Sequence, residues 1–183
     1  QAYADYRDLM ALTEELFLHV VRATCGSDRV IYQGQELRFA PPWPRLSVEE
    51  ALVQLGGLGA DEVRTAEGLR AAAAARNVRV TPAWSWAELL MELFETLGES
   101  RCVQPTFITD FPAELSRLAK ARPDDPRYVQ RFELYVAGME VARLLGQEGR
   151  VGRHAVDQAG LAGPPDVLQA RAVEEELHGH APA

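Results

Sequence analysis

Glu133 and Glu140 are the two side chains whose types and spacing in this sequence best suit chemistry. They lie in Arg131-Phe132-Glu133-Leu134-Tyr135-Val136-Ala137-Gly138-Met139-Glu140-Val141-Ala142. Residues 131–136 are β-branched, aromatic or alternately apolar, as a strand requires, and Ala137-Gly138 suits a two-residue hairpin turn. A regular ladder around that turn pairs Tyr135 with Glu140 and Glu133 with Ala142. Cross-strand partners share a face, and so do residues two apart on one strand. Glu133 and Glu140 then become diagonal neighbours on one face, roughly 7–8 Å apart at the backbone. Two carboxylates so placed, with no counter-charge between them, can hold a divalent cation. A solvated hairpin face carrying two unrelated acids has the same pattern.

The elements that must position this hairpin read as follows. From about Asp5 to Thr24, Leu9, Leu12, Leu16 and Val20 recur at helical spacing, with Met10, Phe17 and Val21 beside them. Arg7, Asp8, Glu14, Glu15 and Arg22 are expected on the opposite face, and Gly26 as the C-terminal cap. Val30-Ile31-Tyr32 and Leu37-Arg38-Phe39 flank Gln33-Gly34-Gln35-Glu36, a second hairpin. Pro41-Pro42-Trp43-Pro44 is a rigid connector. Ser47 with Glu50 is a capping box opening a helix to about Leu55. Gly56-Gly57-Leu58-Gly59 breaks the chain without a phosphate-loop pattern. Asp61 to Arg76 is predicted as one Ala-rich helix. Ser85 and Glu88 form a second capping box before a helix that Gly98 ends. Val103 to Thr109 is predicted as a strand stopped by Phe111-Pro112, and 123–126 as a solvated turn. Strands separated by long helical segments, yet including hairpins, imply an α+β fold with an antiparallel sheet and flanking helices.

Three segments together resemble the class II lysyl-tRNA synthetase family. The Glu133–Glu140 hairpin is similar to one in that family. Gln1-Ala2-Tyr3-Ala4-Asp5-Tyr6-Arg7-Asp8-Leu9-Met10 resembles the helix start that follows its motif 2. Pro105-Thr106-Phe107-Ile108-Thr109-Asp110-Phe111-Pro112, with Leu115-Ser116 to Lys120, resembles its next core strand. The related ligase that attaches β-lysine to elongation factor P shares these segments. The resemblance implies an incomplete class II catalytic domain over 1–142, with a helical insertion at about 45–100. It also implies Mg2+ on Glu133 and Glu140, ATP as co-substrate, lysine and tRNA(Lys) as further substrates, and a homodimer when intact.

The family pattern stops after Ala142. Where Asn-Gly-Phe-Ser-Glu would follow, this chain has Arg143-Leu144-Leu145-Gly146-Gln147. The carboxylate expected for the substrate ammonium is thereby an amide at Gln147, and Arg143 would repel that ammonium. No motif 3 arginine is recognisable, and the motif 2 arginine would precede Gln1. Loss of one preorganised charge-stabilising group typically costs about 100- to 1000-fold in rate, so the isolated chain is expected to be inactive. One choice of codons for Asn-Gly-Phe-Ser-Glu, read from the last base of the first codon, gives Arg-Leu-Leu-Gly, the residues at Arg143 to Gly146. Residues 143–183 are therefore expected to be a divergent or frameshifted tail. A non-catalytic synthetase-like binding module is the competing reading.

The 183 residues suffice for one domain with a sizeable core. A net charge of −8 argues against a free-standing nonspecific nucleic-acid binder. Cys25 and Cys102 stand far apart without metal-ligand spacing, which suits free thiols in the cytoplasm. No apolar run is long enough to span a membrane. His178-Gly179-His180 could bind a metal, although two such histidines are more often simply exposed, and His19 and His154 join no catalytic arrangement. The start at Gln1, inside a recognisable segment, leads to the expectation that the chain belongs within a longer protein.

Overall fold

The computed structural model describes residues 6–145. Helix α1 spans Tyr6–Cys25, and Gly26, at φ +67°, ends it by donating its N–H to the Arg22 carbonyl. Strands β1 (Arg29–Tyr32) and β2 (Gln35–Arg38) form an antiparallel hairpin. Its turn residues, Gln33 and Gly34, both have positive φ, the geometry that matches strand twist. After the proline connector come β3 (Arg45–Ser47) and α2 (Val48–Gln54). Further on are α3 (Ala66–Ala75), α4 (Trp86–Leu97), β4 (Thr106–Thr109), β5 (Arg131–Val136) and β6 (Met139–Leu145).

The main sheet has the order β3-β4-β5-β6. β4, β5 and β6 pair antiparallel, whereas β3 joins β4 in parallel. The sheet is therefore mixed at one edge. β3 carries no sequence signal of its own, being three residues between a proline connector and a helix cap. The expected strand from Val103 shortens to Thr106–Thr109, because Val103 and Cys102 instead accept hydrogen bonds from the Ala137 and Gly138 turn amides. The expected single helix from Asp61 to Arg76 is also divided. Glu62–Arg64 forms a 3-10 turn, Thr65 adopts an extended conformation, and its hydroxyl caps α3 by accepting from the Gly68 N–H.

Alternation along the strands separates two cores. On one face Ile108 and Tyr135 pack with α2, α3 and α4 through Leu52, Leu69, Leu89, Leu90, Leu93 and Phe94. On the other, Phe107, Phe132, Leu134 and Val136 meet Trp43, Phe39, Leu37 and Met10. The capping boxes at Ser47 and Ser85 are both formed, with each serine hydroxyl and partner glutamate bonding the other's backbone N–H.

Helix α1 presents a different face from the one expected. Met10 and Glu14 are buried and Phe17 and Val21 are half-buried, whereas Leu12, Leu16 and Val20 are 59%, 56% and 48% exposed. Glu14 points inward because the Trp43 backbone N–H needs an acceptor there, and its carboxylate takes that bond at 2.9 Å. Arg45 Nη2 lies 3.7 Å from the other oxygen.

Candidate functional site

The Ala137-Gly138 turn forms as its sequence requires, with φ of 54° and 74°. Gly138 is fixed there twice over: a Cβ would sit 2.9 Å from the Ser100 carbonyl oxygen, and the left-handed backbone strains other residues. Val136 faces Met139 and Tyr135 faces Glu140, as a regular ladder dictates. Beyond that point the register slips. Leu134 pairs with Ala142 and Glu133 with Arg143, leaving Val141 as an extra residue in β6. The expected Glu133–Ala142 pair is thus replaced through a β-bulge, which advances every later residue of β6 by one.

The bulge keeps Glu133 and Glu140 on one face and adds Arg143 to it. Without the extra residue Arg143 would lie opposite Phe132 and point into the apolar core. With it, the Arg143 Nε lies 2.8 Å from Glu133 Oε1 and donates to Glu140 Oε1 at 3.0 Å, while Nη2 donates to Glu140 Oε2 at 2.9 Å. Arg131 adds a second ion pair to Glu133 Oε1, and the Tyr135 hydroxyl donates to Oε2 at 2.8 Å. The acid pair is therefore not without counter-charge. It is bridged by one guanidinium and flanked by another.

These groups line a cleft of about 410 Å3 between β5, β6, α4 and the 111–116 segment, which Glu95, Glu99 and Met91 also border. Partial desolvation in the cleft raises the Glu95 and Glu99 carboxyls above their ordinary value. The neighbouring charges of Glu92 and Glu133 add to this at Glu95, and those of Glu95, Glu140 and Glu133 at Glu99. Burial likewise pushes the Tyr135 hydroxyl well above its ordinary range, with Glu133 contributing. The Arg131 guanidinium lies 4.4 Å over the Phe111 ring and donates to Ser116 at 3.1 Å, while its Nε has no partner.

Among the described residues no three His, Cys, Asp or Glu side chains converge to hold a metal. Sequence reasoning identified the two carboxylates and missed Arg131, Tyr135, Glu95 and Glu99. Arg131 and Tyr135 stand two residues either side of Glu133, so strand period alone would have assigned them to its face. Cys102 is buried, its thiol pushed up to about 11 by burial, and Cys25 is exposed, with no disulfide joining them. His19 is exposed on α1. His154, His178, His180 and Gln147 lie outside the described residues. Among those described, no helix is long and apolar enough to cross a membrane.

A model of the family of class II tRNA synthetases (D, K and N) matches residues 1–145. The chain belongs to that family. A lysine–tRNA ligase of Chloroflexus aurantiacus is 41% identical over 141 residues, covering 77% of this chain and 29% of that protein. One from Dehalococcoides mccartyi is 42% identical over 147 residues, covering 80% and 30%. One from Pelotomaculum thermopropionicum is 37% identical over 180 residues, covering 97% and 35%. The chain thus spans about a third of the length of these curated relatives. Within this class II synthetase domain, the hairpin with Glu133 and Glu140 lies inside the matched region.

Proposed function

We propose that this chain is part of the catalytic domain of a lysine–tRNA ligase, which activates lysine with ATP and transfers it to tRNA(Lys). The observation that carries this reading is the common face of Glu133 and Glu140, joined by the Ala137-Gly138 turn within the family segment. The exposed Leu12, Leu16 and Val20 stripe supports it too, since further segments of a protein three times as long would cover such a face. In this reading residues 1–142 are a partial catalytic domain with a helical insertion at about 45–100, and 143–183 are a divergent tail whose first residues, Arg143 to Leu145, complete β6. The whole protein would be a cytoplasmic homodimer.

Glu133 and Glu140 are the residues that would hold Mg2+ beside the ATP phosphates. Their four carboxylate oxygens are the hard donors such an ion needs. As arranged here they do not fit it, because Arg143 fills the space between them. Together with the departures from the pocket pattern at Arg143 and Gln147, this makes the isolated chain inactive. It also favours a second reading, a non-catalytic synthetase-like module. A fragment of the elongation factor P β-lysine ligase is the alternative within the same fold, with β-lysine as substrate and a protein as acceptor.

Calorimetric titration of the 183-residue chain carrying Arg143→Asn, which vacates the space between the two carboxylates, with ATP and Mg2+ separates these readings. A saturable heat that Glu140→Gln abolishes is expected of the ligase fragment. Absence of any Glu140-dependent heat would leave the non-catalytic module. Lysine-dependent exchange of pyrophosphate into ATP is expected to be undetectable, and measurable exchange would overturn the assignment of an inactive fragment.

A further inference from the structure

We infer that Arg143 is a resident cation of the Glu133–Glu140 pair, occupying the place of a divalent ion and excluding it until the guanidinium is displaced. The inference rests on reading that pair as a cation site, and three observations carry it.

The first is occupancy. The guanidinium meets Glu140 side-on through Nε and Nη2 at 3.0 and 2.9 Å, and the same Nε lies 2.8 Å from Glu133. A fork engaging two oxygens is the strongest arrangement available to an arginine and a carboxylate. It takes both Glu140 oxygens, while Arg131 shares Glu133 Oε1 with Arg143 and the Tyr135 hydroxyl takes Oε2.

The second is the bulge. A regular ladder would have directed residue 143 toward Phe132, and only the extra residue Val141 brings it to the charged face. The arrangement is therefore specified by the backbone rather than by a chance rotamer of a surface arginine.

The third is a place for Arg143 to go. Its side chain is 52% exposed, against 3% for Glu133, so it can leave without unpacking the core. It also lines a second cleft, of about 180 Å3, together with Arg117, Arg131 and Ser116. An anion seated there would offer the guanidinium an alternative partner. Polyphosphate is the chemistry that suits it, since arginine forks match phosphate oxygens as well as carboxylates.

Divalent-ion binding to the full 183-residue chain tests the inference, with Mn2+ as probe and the spectroscopic signal of free Mn2+ as readout. The unaltered chain should bind weakly. Arg143→Asn should bind roughly ten- to a hundredfold more tightly, the scale of one charge-assisted hydrogen-bond pair removed from competition. Arg143→Lys keeps the charge without the fork, and should fall between the two. Inorganic tripolyphosphate at a fixed low concentration should tighten Mn2+ binding to the unaltered chain, after correction for Mn2+ held by the polyphosphate itself, and should do so less in Arg143→Asn. Circular dichroism establishes that each variant is folded, and Arg143→Gln serves if Asn disturbs β6.

Two failures are distinguishable. Equal, Glu140-dependent affinity in the unaltered chain and in Arg143→Asn would overturn the role of Arg143 and leave the cation pair standing. Binding that stays weak in Arg143→Asn, or that survives in Arg143→Asn/Glu140→Gln, would overturn the cation pair and the inference with it.

Discussion

Strand β5 has two faces built on opposite physical principles. Toward α1, Phe132, Leu134 and Val136 enter a dry core in which Phe132 meets Phe107 edge-on at 5.2 Å and Phe107 meets Trp43 at 5.4 Å. Toward α4, Arg131, Glu133 and Tyr135 alternate with them and carry a buried network of charges. The apolar face gains by leaving water, at about 25 cal/mol per Å2. The charged face loses by leaving water and recovers the loss only through pairing. A strand meant solely for stability would bury apolar side chains on both sides. Glu133 is 2% exposed with three donors arranged around it, and Tyr135 on the same face also packs against Phe94, so this face combines a paired charge network with core packing. The same contrast explains Glu14, the buried carboxylate of the opposite core. It accepts from the Trp43 backbone N–H and lies 3.7 Å from Arg45 Nη2.

The largest way to break this comparison is through the apolar face. Phe132→Ala should destabilise the protein by about 3–5 kcal/mol, the cost of a large cavity in a packed aromatic cluster. Urea unfolding followed by tryptophan fluorescence would register it, since Trp43 belongs to that cluster. A loss below 1 kcal/mol would mean that the face is less tightly packed than its ring geometry shows.

Glu133→Gln should cost less, about 2–3 kcal/mol. Gln fills the same volume, but Arg131, with its side chain only 13% exposed, loses its charged partner. Adding Arg131→Met should recover most of that loss, because it removes the stranded charge. No recovery in the double variant would show that Arg131 and Glu133 contribute independently, and the charged face would not be a network.

Legibility in the sequence follows the range of the interactions. Features fixed within four residues were readable: the Ser47 and Ser85 capping boxes, the Gly26 cap and the Ala137-Gly138 turn, whereas the first hairpin, expected to turn over Gln33 to Glu36, closes through Gln33-Gly34 with Gln35 and Glu36 already in β2. The common face of Glu133 and Glu140 was readable because it follows from turn length and strand period. The bulge at Val141 was not, since nothing in Glu140-Val141-Ala142-Arg143 marks an extra residue and only docking of the strand selects it. The exposed side of α1 was misread for a related reason. Its apolar residues nearly encircle the helix, and the choice of buried stripe rests on a distant backbone donor at Trp43. β3, three residues long, owes its existence to pairing with β4 rather than to its own propensity.

The finest test concerns repulsion within the charged face. Burial and the negative neighbours Glu95, Glu140 and Glu133 raise the Glu99 carboxyl above its ordinary value of 4.5. A carboxyl raised by folding binds its proton more tightly in the native state than in the unfolded chain. Its favourable contribution is present below the unfolded value and is lost as pH rises through the folded one, so charged Glu99 opposes folding at neutral pH. Glu99→Gln should therefore stabilise the protein at pH 7 by a few tenths of a kcal/mol, a small effect because the side chain is only partly buried. The gain should fade as pH drops below 4.5, where Glu99 in the unaltered protein is protonated as well. It should also grow in an Arg143→Asn background, which removes the bridging cation from the same cleft. Urea midpoints at both pH values, with and without Arg143, would measure this. A gain independent of pH and of Arg143 would assign the effect to local packing, and the contrast between the two faces would then rest on Glu133 and Arg131 alone.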